Sequence, residues 1–331
     1  MIAKPTQKYI IFALILVAVL FPLISQNNYF IHILTLSYIW MIAVYGLNIV
    51  AGYTGYLSFS HAGFFAIGAY AQGLLTVKAG IAFWIAFALA LIITTSLGFL
   101  VGLISLRTKE HFFAIYTLCV GYVIYLLIDK WDSLTEGVRG LMGIPNPGNI
   151  GPLSFTSATA KYYLILAFLL LTILVNYRIV NSLIGRTFIA IRNSEQLALS
   201  LGISTTRNKL LAFVLSAFFA GLAGALYAGF IRFLGPEIGS ITITFDLLIY
   251  LIVGGIGTLS GPIVGTLLIV LLSQNLQFLE EYRMLIFGPI LVLLILFSPR
   301  GLVGFISDWK LKIREGKSVS TERPAKIEKG A

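Results

Sequence analysis

Ile81-Ala-Phe-Trp-Ile-Ala-Phe-Ala-Leu-Ala-Leu-Ile-Ile-Thr-Thr-Ser-Leu-Gly-Phe-Leu-Val-Gly-Leu-Ile-Ser-Leu106 runs for 26 residues without a charge. About 20 such residues in a helix cross the hydrocarbon core of a bilayer. The poverty of charge extends upstream: between Tyr9 and Leu106 the one formal charge is Lys78. The whole chain of 331 residues is 58% hydrophobic and 11% charged, with mean hydropathy +0.95, where a soluble domain carries roughly 25% charged residues. Such a surface cannot face water, and backbone groups in lipid must be satisfied internally. The runs are continuously apolar and lack the polar alternation of barrel strands. The expectation is therefore an all-α polytopic membrane protein.

The spans expected from hydropathy are Tyr9 to Ile24, Tyr29 to Val50, Leu57 to Val77, Ile81 to Leu106, Phe112 to Ile128, Tyr162 to Tyr177, Leu210 to Leu234, Phe245 to Ile256, Ile263 to Phe278 and Met284 to Phe297. That makes about ten crossings. Phe245 to Ile256 is too short for a full crossing and reads as a broken or half-crossing element. Residues 1–308 form one transmembrane domain on this reading. The first stretch reads as an uncleaved anchor, because no small-x-small cleavage site follows it. Lys4, Lys8, Arg107, Lys109, Arg300 and the stretch 181–213 all fall on one side of the count. The positive-inside rule makes that side the cytoplasm, with both termini there. The net charge of +10 thus belongs to loops and tail and is no nucleic-acid signature. The 309–331 tail, with Lys310, Lys312, Arg314, Lys317, Arg323, Lys326 and Lys329, reads as disordered or in contact with the lipid surface.

Two connecting segments stand out. Residues 129–161 fall outside and hold Gly137, Gly140, Gly143, Pro145, Pro147, Gly148, Gly151 and Pro152. Turn formers at this density argue against helix. The segment serves either as contact for a soluble substrate carrier or as a simple link. Residues 181–213 carry Arg186, Arg192, Arg207 and Lys209 against the single acid Glu195. Arg186 to Arg192 reads as one short helix. Asn193 or Ser194 caps a second, which bears Glu195 and Ala198, since a short side-chain oxygen accepts from orphan N–H groups. Gly202 closes it in a left-handed conformation. The segment is either a docking platform for a cytoplasmic partner or an interfacial segment held by anionic lipid.

A pattern of Gly, Leu and Ser recurs. Gly52-Tyr-Thr-Gly55-Tyr-Leu57-Ser58 with Gly63 matches Gly254-Gly-Ile-Gly257-Thr-Leu259-Ser260 with Gly265. Glycine-interrupted spans in matching places mark translocation sites in transporters built from repeats. The alternative is a pair of tight turns with close helix packing. His61 follows the first copy and either lines the pathway or packs in the core. His32, His61 and His111 show no ligand spacing, so no metal site is expected, and Cys119, the single cysteine, has no partner for a disulfide. No Gly-x-x-x-x-Gly-Lys-Ser/Thr occurs, so any ATP is used by another chain. Asp246 sits at a span edge, and the spans hold no acid relay of the kind proton-coupled pumps need; nor is there an acid–base pair for an enzyme.

Several blocks together resemble the permeases of branched-chain amino-acid ABC transporters, of the LivM type. They are Gly46 to Tyr70, Thr135 to Pro145, Gly185 to Gly202 with Lys209 to Phe213, Ala220 to Ala228, Gly254 to Pro262 and Phe297 to Leu302. Arg139 and Gln196-Leu197 depart from the pattern. The resemblance implies a subunit in a bacterial inner membrane that moves branched-chain or related hydrophobic amino acids. It also implies a second homologous permease, two cytoplasmic ATPases and a periplasmic binding protein, with no cofactor of its own. The coupling loop it implies comprises Gly185, Arg186, Arg192, Glu195, Ala198, Gly202, Arg207 and Lys209. Rival readings are a urea or short-amide permease of the same architecture and an ion-coupled secondary transporter.

Overall fold

The computed structural model describes residues 16–24, 27–108, 110–149, 151, 154–275, 301–302 and 304. Helix α1 covers residues 16–24. It is followed by α2 (Asn28–Leu47), which widens into a π-helical turn over Asn48–Tyr53, then α3 (His61–Val77), α4 (Phe83–Ser105), α5 (Glu110–Lys130) and the single turn α6 (Asp132–Thr135). Beyond these come α7 (Ala158–Asn181), α8 (Leu183–Asn193), α9 (Glu195–Ser200), α10 (Thr205–Ile231), α11 (Ile241–Gly254) and α12 (Gly261–Asn275). Five of these stretches are long and apolar enough to cross a membrane, namely Asn28–Tyr53, Phe83–Ser105, Phe112–Lys130, Ala158–Asn181 and Thr205–Ile231. The spans expected at Tyr9 to Ile24 in its first part and at Met284 to Phe297, together with Arg300 and the basic tail, lie outside the described residues.

The centre of the bundle is α2 and α10, enclosed on most sides, while α4, α5 and α7 present most of their apolar surface outward. Ile85, Leu89, Ile92, Leu100 and Ile104 of α4 are exposed. Lipid is as apolar as leucine, so helices in a bilayer are held by close packing rather than by burial. Small residues supply that packing. A side chain on Gly68 of α3 would overlap the backbone of Gly221 in α10, one on Gly224 would overlap Phe65, and one on Gly98 of α4 would overlap Ala217.

Contacts sort the helix ends into two faces. On one, residues 131–149 fold over the ends of α3, α4 and α10. Strand β1 (Leu141–Met142) pairs antiparallel with β2 (Phe233–Leu234). Trp84 donates to the Gly148 carbonyl at 2.8 Å, Arg232 Nε to Ile144 at 2.9 Å and Tyr70 to Leu234 at 2.9 Å. Lys78 pairs with Glu136 at 2.8 Å. On the opposite face lie α8, α9, the start of α10 and the end of α4, where Gly102 meets Leu210 and Phe213.

Several expected boundaries move. Leu57 to Val77 starts as helix only at His61, because the chain from Thr54 to Ser60 turns through Gly55 at φ +80°. Leu210 to Leu234 begins at Thr205 and stops when Arg232 adopts φ 64°, so Phe233–Leu234 joins the small sheet instead. Residues 129–161 contain more helix than glycine and proline suggested: α5 reaches Lys130, Asp132–Thr135 adds a turn and Gly137–Arg139 is a 3₁₀ turn. There the prolines come later, and no helix forms among the described residues from Leu141 to Ser157. Ser157 then caps α7 by accepting from Ala160 N at 3.1 Å, so the helix starts at Ala158, four residues before the expected Tyr162. Helix α11 is 14 residues long, about 21 Å, too short to span about 30 Å of hydrocarbon.

Candidate functional site

The segment 181–213 obeys local capping rules. Ser182 caps α8 through Gly185 N at 3.4 Å, so this helix starts at Leu183 rather than Arg186. Ser194 caps α9 through Leu197 N at 3.2 Å. Gly202 ends it at φ +81°. The bonds Ile203 N to Ala198 O at 3.0 Å and Gly202 N to Leu199 O at 2.9 Å form the paired arrangement of a Schellman end. Phe188, Ile191 and Ala198 are buried against the bundle, and Thr187 donates to Asn208 of α10 at 3.0 Å. The other side of this pair of helices is open. Arg186 and Arg207 are exposed, beside Leu197 at 61% and Leu201 at 72% exposure.

Three charged side chains of this segment reach inward to the first glycine copy. Arg192 Nη1 donates to the Gly52 carbonyl at 2.6 Å. Lys209 pairs with Glu195 at 2.6 Å, donates to the Tyr56 hydroxyl at 3.1 Å and stands 4.6 Å from the centre of that ring. The Tyr56 hydroxyl in turn donates to Glu195. Partial burial pushes the Glu195 carboxyl up, but the bonds from Lys209 and Tyr56 outweigh it and hold its pKa below the usual carboxylate range. Helix ends leave backbone carbonyls without partners; here Gly52 offers its oxygen to Arg192, and Val50 offers its own to Tyr56 N at 3.1 Å.

The two glycine copies meet each other. Asn48, one turn before Gly52, donates to the Thr258 carbonyl at 2.8 Å and accepts from Gly257 N at 2.9 Å. Tyr45 donates to the Leu259 carbonyl at 2.7 Å. A Cβ on Gly52 would stand 2.8 Å from Gly257 N, and one on Gly257 would overlap the Arg192 guanidinium. So Gly52, Gly55, Gly257 and Arg192, separate in the chain, form one junction. Gly254 closes α11 against Gly261 at the start of α12. Ser58 bonds Ser60 at 3.1 Å in a buried position, while Ser260 is exposed at the start of α12. His61 is held on both nitrogens, by the Ala43 carbonyl at 2.8 Å and Ser216 at 3.2 Å. Both partners lie within the bundle, and the ring is buried. Asn48, Tyr45 and Tyr56 escaped the sequence reading. The signal available for Asn48 was an amide in an apolar run one turn ahead of a Gly-x-x-Gly.

The family model described as branched-chain amino acid transport system / permease component matches residues 29–295. The chain belongs to this family. The high-affinity branched-chain amino acid transport system permease protein LivM of Salmonella typhimurium is 32% identical over 336 residues, covering 94% of this chain and 78% of the relative. LivM of Escherichia coli is 32% identical over 333 residues with the same coverage. The permease protein LivH of Escherichia coli is 26% identical over 297 residues, covering 82% and 92%. No solved structure matches. The permease is thus a multi-pass α-helical membrane protein of a transport family, and three of the blocks of resemblance, Gly46 to Tyr70, Gly185 to Gly202 and Gly254 to Pro262, contribute residues to the junction just described.

Proposed function

We propose that this permease is the membrane subunit of an ATP-binding-cassette importer in a bacterial inner membrane, carrying branched-chain or related hydrophobic amino acids inward. It crosses the membrane about ten times, and Gly52 to Gly63 and Gly254 to Gly265 are the matching parts of an internal repeat. The face with α8 and α9 is cytoplasmic, as are both termini. The excess of Arg107, Arg186, Arg192, Arg207 and Lys209 over Glu195 on that face supports this orientation. Its partners are a second homologous permease, two cytoplasmic ATPases that consume the ATP, and a periplasmic binding protein. The folded segment over the opposite face is where that carrier docks.

The observation that carries the mechanism is the Arg192 bond to Gly52, made beside Gly257. The exposed leucines and arginines of α8 and α9 seat on an ATPase. When ATP binding draws the ATPases together, α9 moves as one body because Ser194 and Gly202 fix its ends. Arg192 and the Glu195–Lys209–Tyr56 cluster hand that displacement to the first break, and Asn48 passes it to the second. Irregular backbone at membrane depth is tolerated where it lines a cavity or is enclosed by protein, so both breaks can rearrange to open the path on alternate sides.

The test is a complex reconstituted with ATPases and binding protein. Arg192→Ala and Glu195→Gln should leave ATP hydrolysis running while leucine uptake per ATP falls about tenfold, equivalent to about 1.4 kcal/mol. Wild-type coupling in both variants overturns the mechanism. Uptake by the chain without ATPases overturns the assignment.

A further inference from the structure

Asp246 is the sixth residue of α11 and its one charged side chain. It lines a cavity of about 170 Å³, small beside the roughly 300–1,000 Å³ of drug-sized sites and scaled to one small solute. Three helix faces line it, and it is open on one side. Leu36 and Trp40 come from α2, Asp246 and Leu247 from α11, Val270 and Ser273 from α12. Trp40 is fixed behind it by stacking on Phe65 at 5.0 Å.

The cavity is lined by the helices that lead into the two halves of the glycine junction. Helix α2 leads into the first break, and α11 and α12 flank the second. Asp246 and Ser273 lie toward the helix ends remote from Gly257, the side from which an importer is loaded. The α12 face that lines the cavity continues inward: Thr266, Val270 and Ser273 are spaced four and three apart and share one side of the helix. Thr266 Oγ1 and Ser273 Oγ are both buried with no hydrogen-bond partner among the described residues, and Thr266 is 0% exposed. Buried hydroxyls are ordinarily bonded, and exceptions ask for a ligand or a functional reason.

We propose that this cavity is a transit site for a zwitterionic amino acid with an apolar side chain. The ammonium sits on the Asp246 carboxylate, the Ser273 hydroxyl donates to the substrate carboxylate, and Leu36, Leu247 and Val270 cover the side chain. Thr266 is the next polar step toward the Gly257 break. The proposal rests on the importer reading above and adds selection within the membrane itself, beyond whatever the binding protein selects.

The experiment uses the complete complex in lipid nanodiscs, nucleotide-free and without binding protein, with radiolabelled leucine as probe. Leucinamide, which keeps the ammonium, should compete within about tenfold of leucine, and 4-methyl-2-oxopentanoate, which lacks it, at least about a hundredfold more weakly, since a site built around a polar group rejects the analogue without it. Asp246→Asn should lose leucine binding and uptake by about tenfold or more, Asp246→Glu should restore part of both, and Val270→Phe should block uptake by filling the cavity. Equal competition by the two analogues overturns the proposal, whatever the variants do. So does leucine binding of wild-type strength in Asp246→Asn, including the case where uptake alone is lost and the acid serves a gate, a proton or a metal cation. A wild-type complex without ATP-driven uptake refutes the importer reading instead, and this site with it.

Discussion

At Gly55 and at Gly257 the backbone takes the same left-handed turn, φ +80° and +74°, yet the two breaks are held in different ways. The second is a tight hairpin. Gly254 and Gly265 press α11 and α12 together, backbone against backbone, and Thr258 caps α12 through Gly261 N at 3.0 Å. The first is spread open. Its last glycine, Gly63, packs on Ile124 of α5 rather than on α2, and the gap beside it is filled by side chains of the charged segment, Arg192, Glu195 and Lys209. The same glycine pattern therefore yields a closed hairpin tied to α2 through Asn48 and Tyr45 in one place and an open turn completed by the charged segment in the other. Motion imposed on α9 reaches the first copy directly and the second through Asn48 and Arg192.

Asn48→Leu attacks that link hardest. It removes both bonds to the second copy and leaves Gly257 N–H and the Thr258 carbonyl without their partner; at about 1–3 kcal/mol for each unsatisfied group, the purified complex should lose several degrees of thermal stability and most of its uptake. A stable, active variant would mean that the copies work independently. Next come Gly257→Ala and Gly55→Ala, each forced into a left-handed turn at about 1–2 kcal/mol. Coupling of ATP hydrolysis to uptake should suffer more in Gly257→Ala, whose new methyl displaces the Arg192 guanidinium, than in Gly55→Ala, which meets the Arg192 Cγ at 3.2 Å. The reverse order would assign Arg192 to the first break alone.

The smallest effect is that of pH. The Glu195 carboxyl is held below its ordinary value of 4.5, so its contribution is complete above that value and is lost as pH falls through the lowered one. The ratio of uptake to ATP hydrolysis should therefore stay level from pH 8 to about 5. A decline beginning near neutrality would show that Lys209 and Tyr56 do not hold the carboxylate in the working complex.

The sequence disclosed what depends on neighbours in the chain. Absence of charge marked the helices, Ser194 and Gly202 marked the ends of α9 by local hydrogen-bond chemistry, and the doubled glycine pattern marked both breaks. Contacts across the fold stayed hidden. Arg192 was visible as a charge, but its acceptor, Gly52, stands 140 positions upstream, and nothing local announces a carbonyl as an arginine partner. The start of α3 at His61 was missed because Leu57 and Phe59 are as apolar as the helix after them; the turn at Gly55 settles the boundary, and hydropathy does not register it. The sequence places Asp246 at a span edge; the packing of α2 and α12 adds that it lines a pocket between three helices.

The π-helical turn at Asn48–Tyr53 has a geometric consequence. Its bonds run from each residue to the fifth before it rather than the fourth, so the turn holds one residue more than the α-helix leading into it. Returning those six residues to ordinary winding would swing everything beyond them through about 100° and lengthen the rod by one step of about 1.5 Å. The Gly52 oxygen would then point away from Arg192 without any helix having to unfold, a screw-like stroke built from a single surplus peptide.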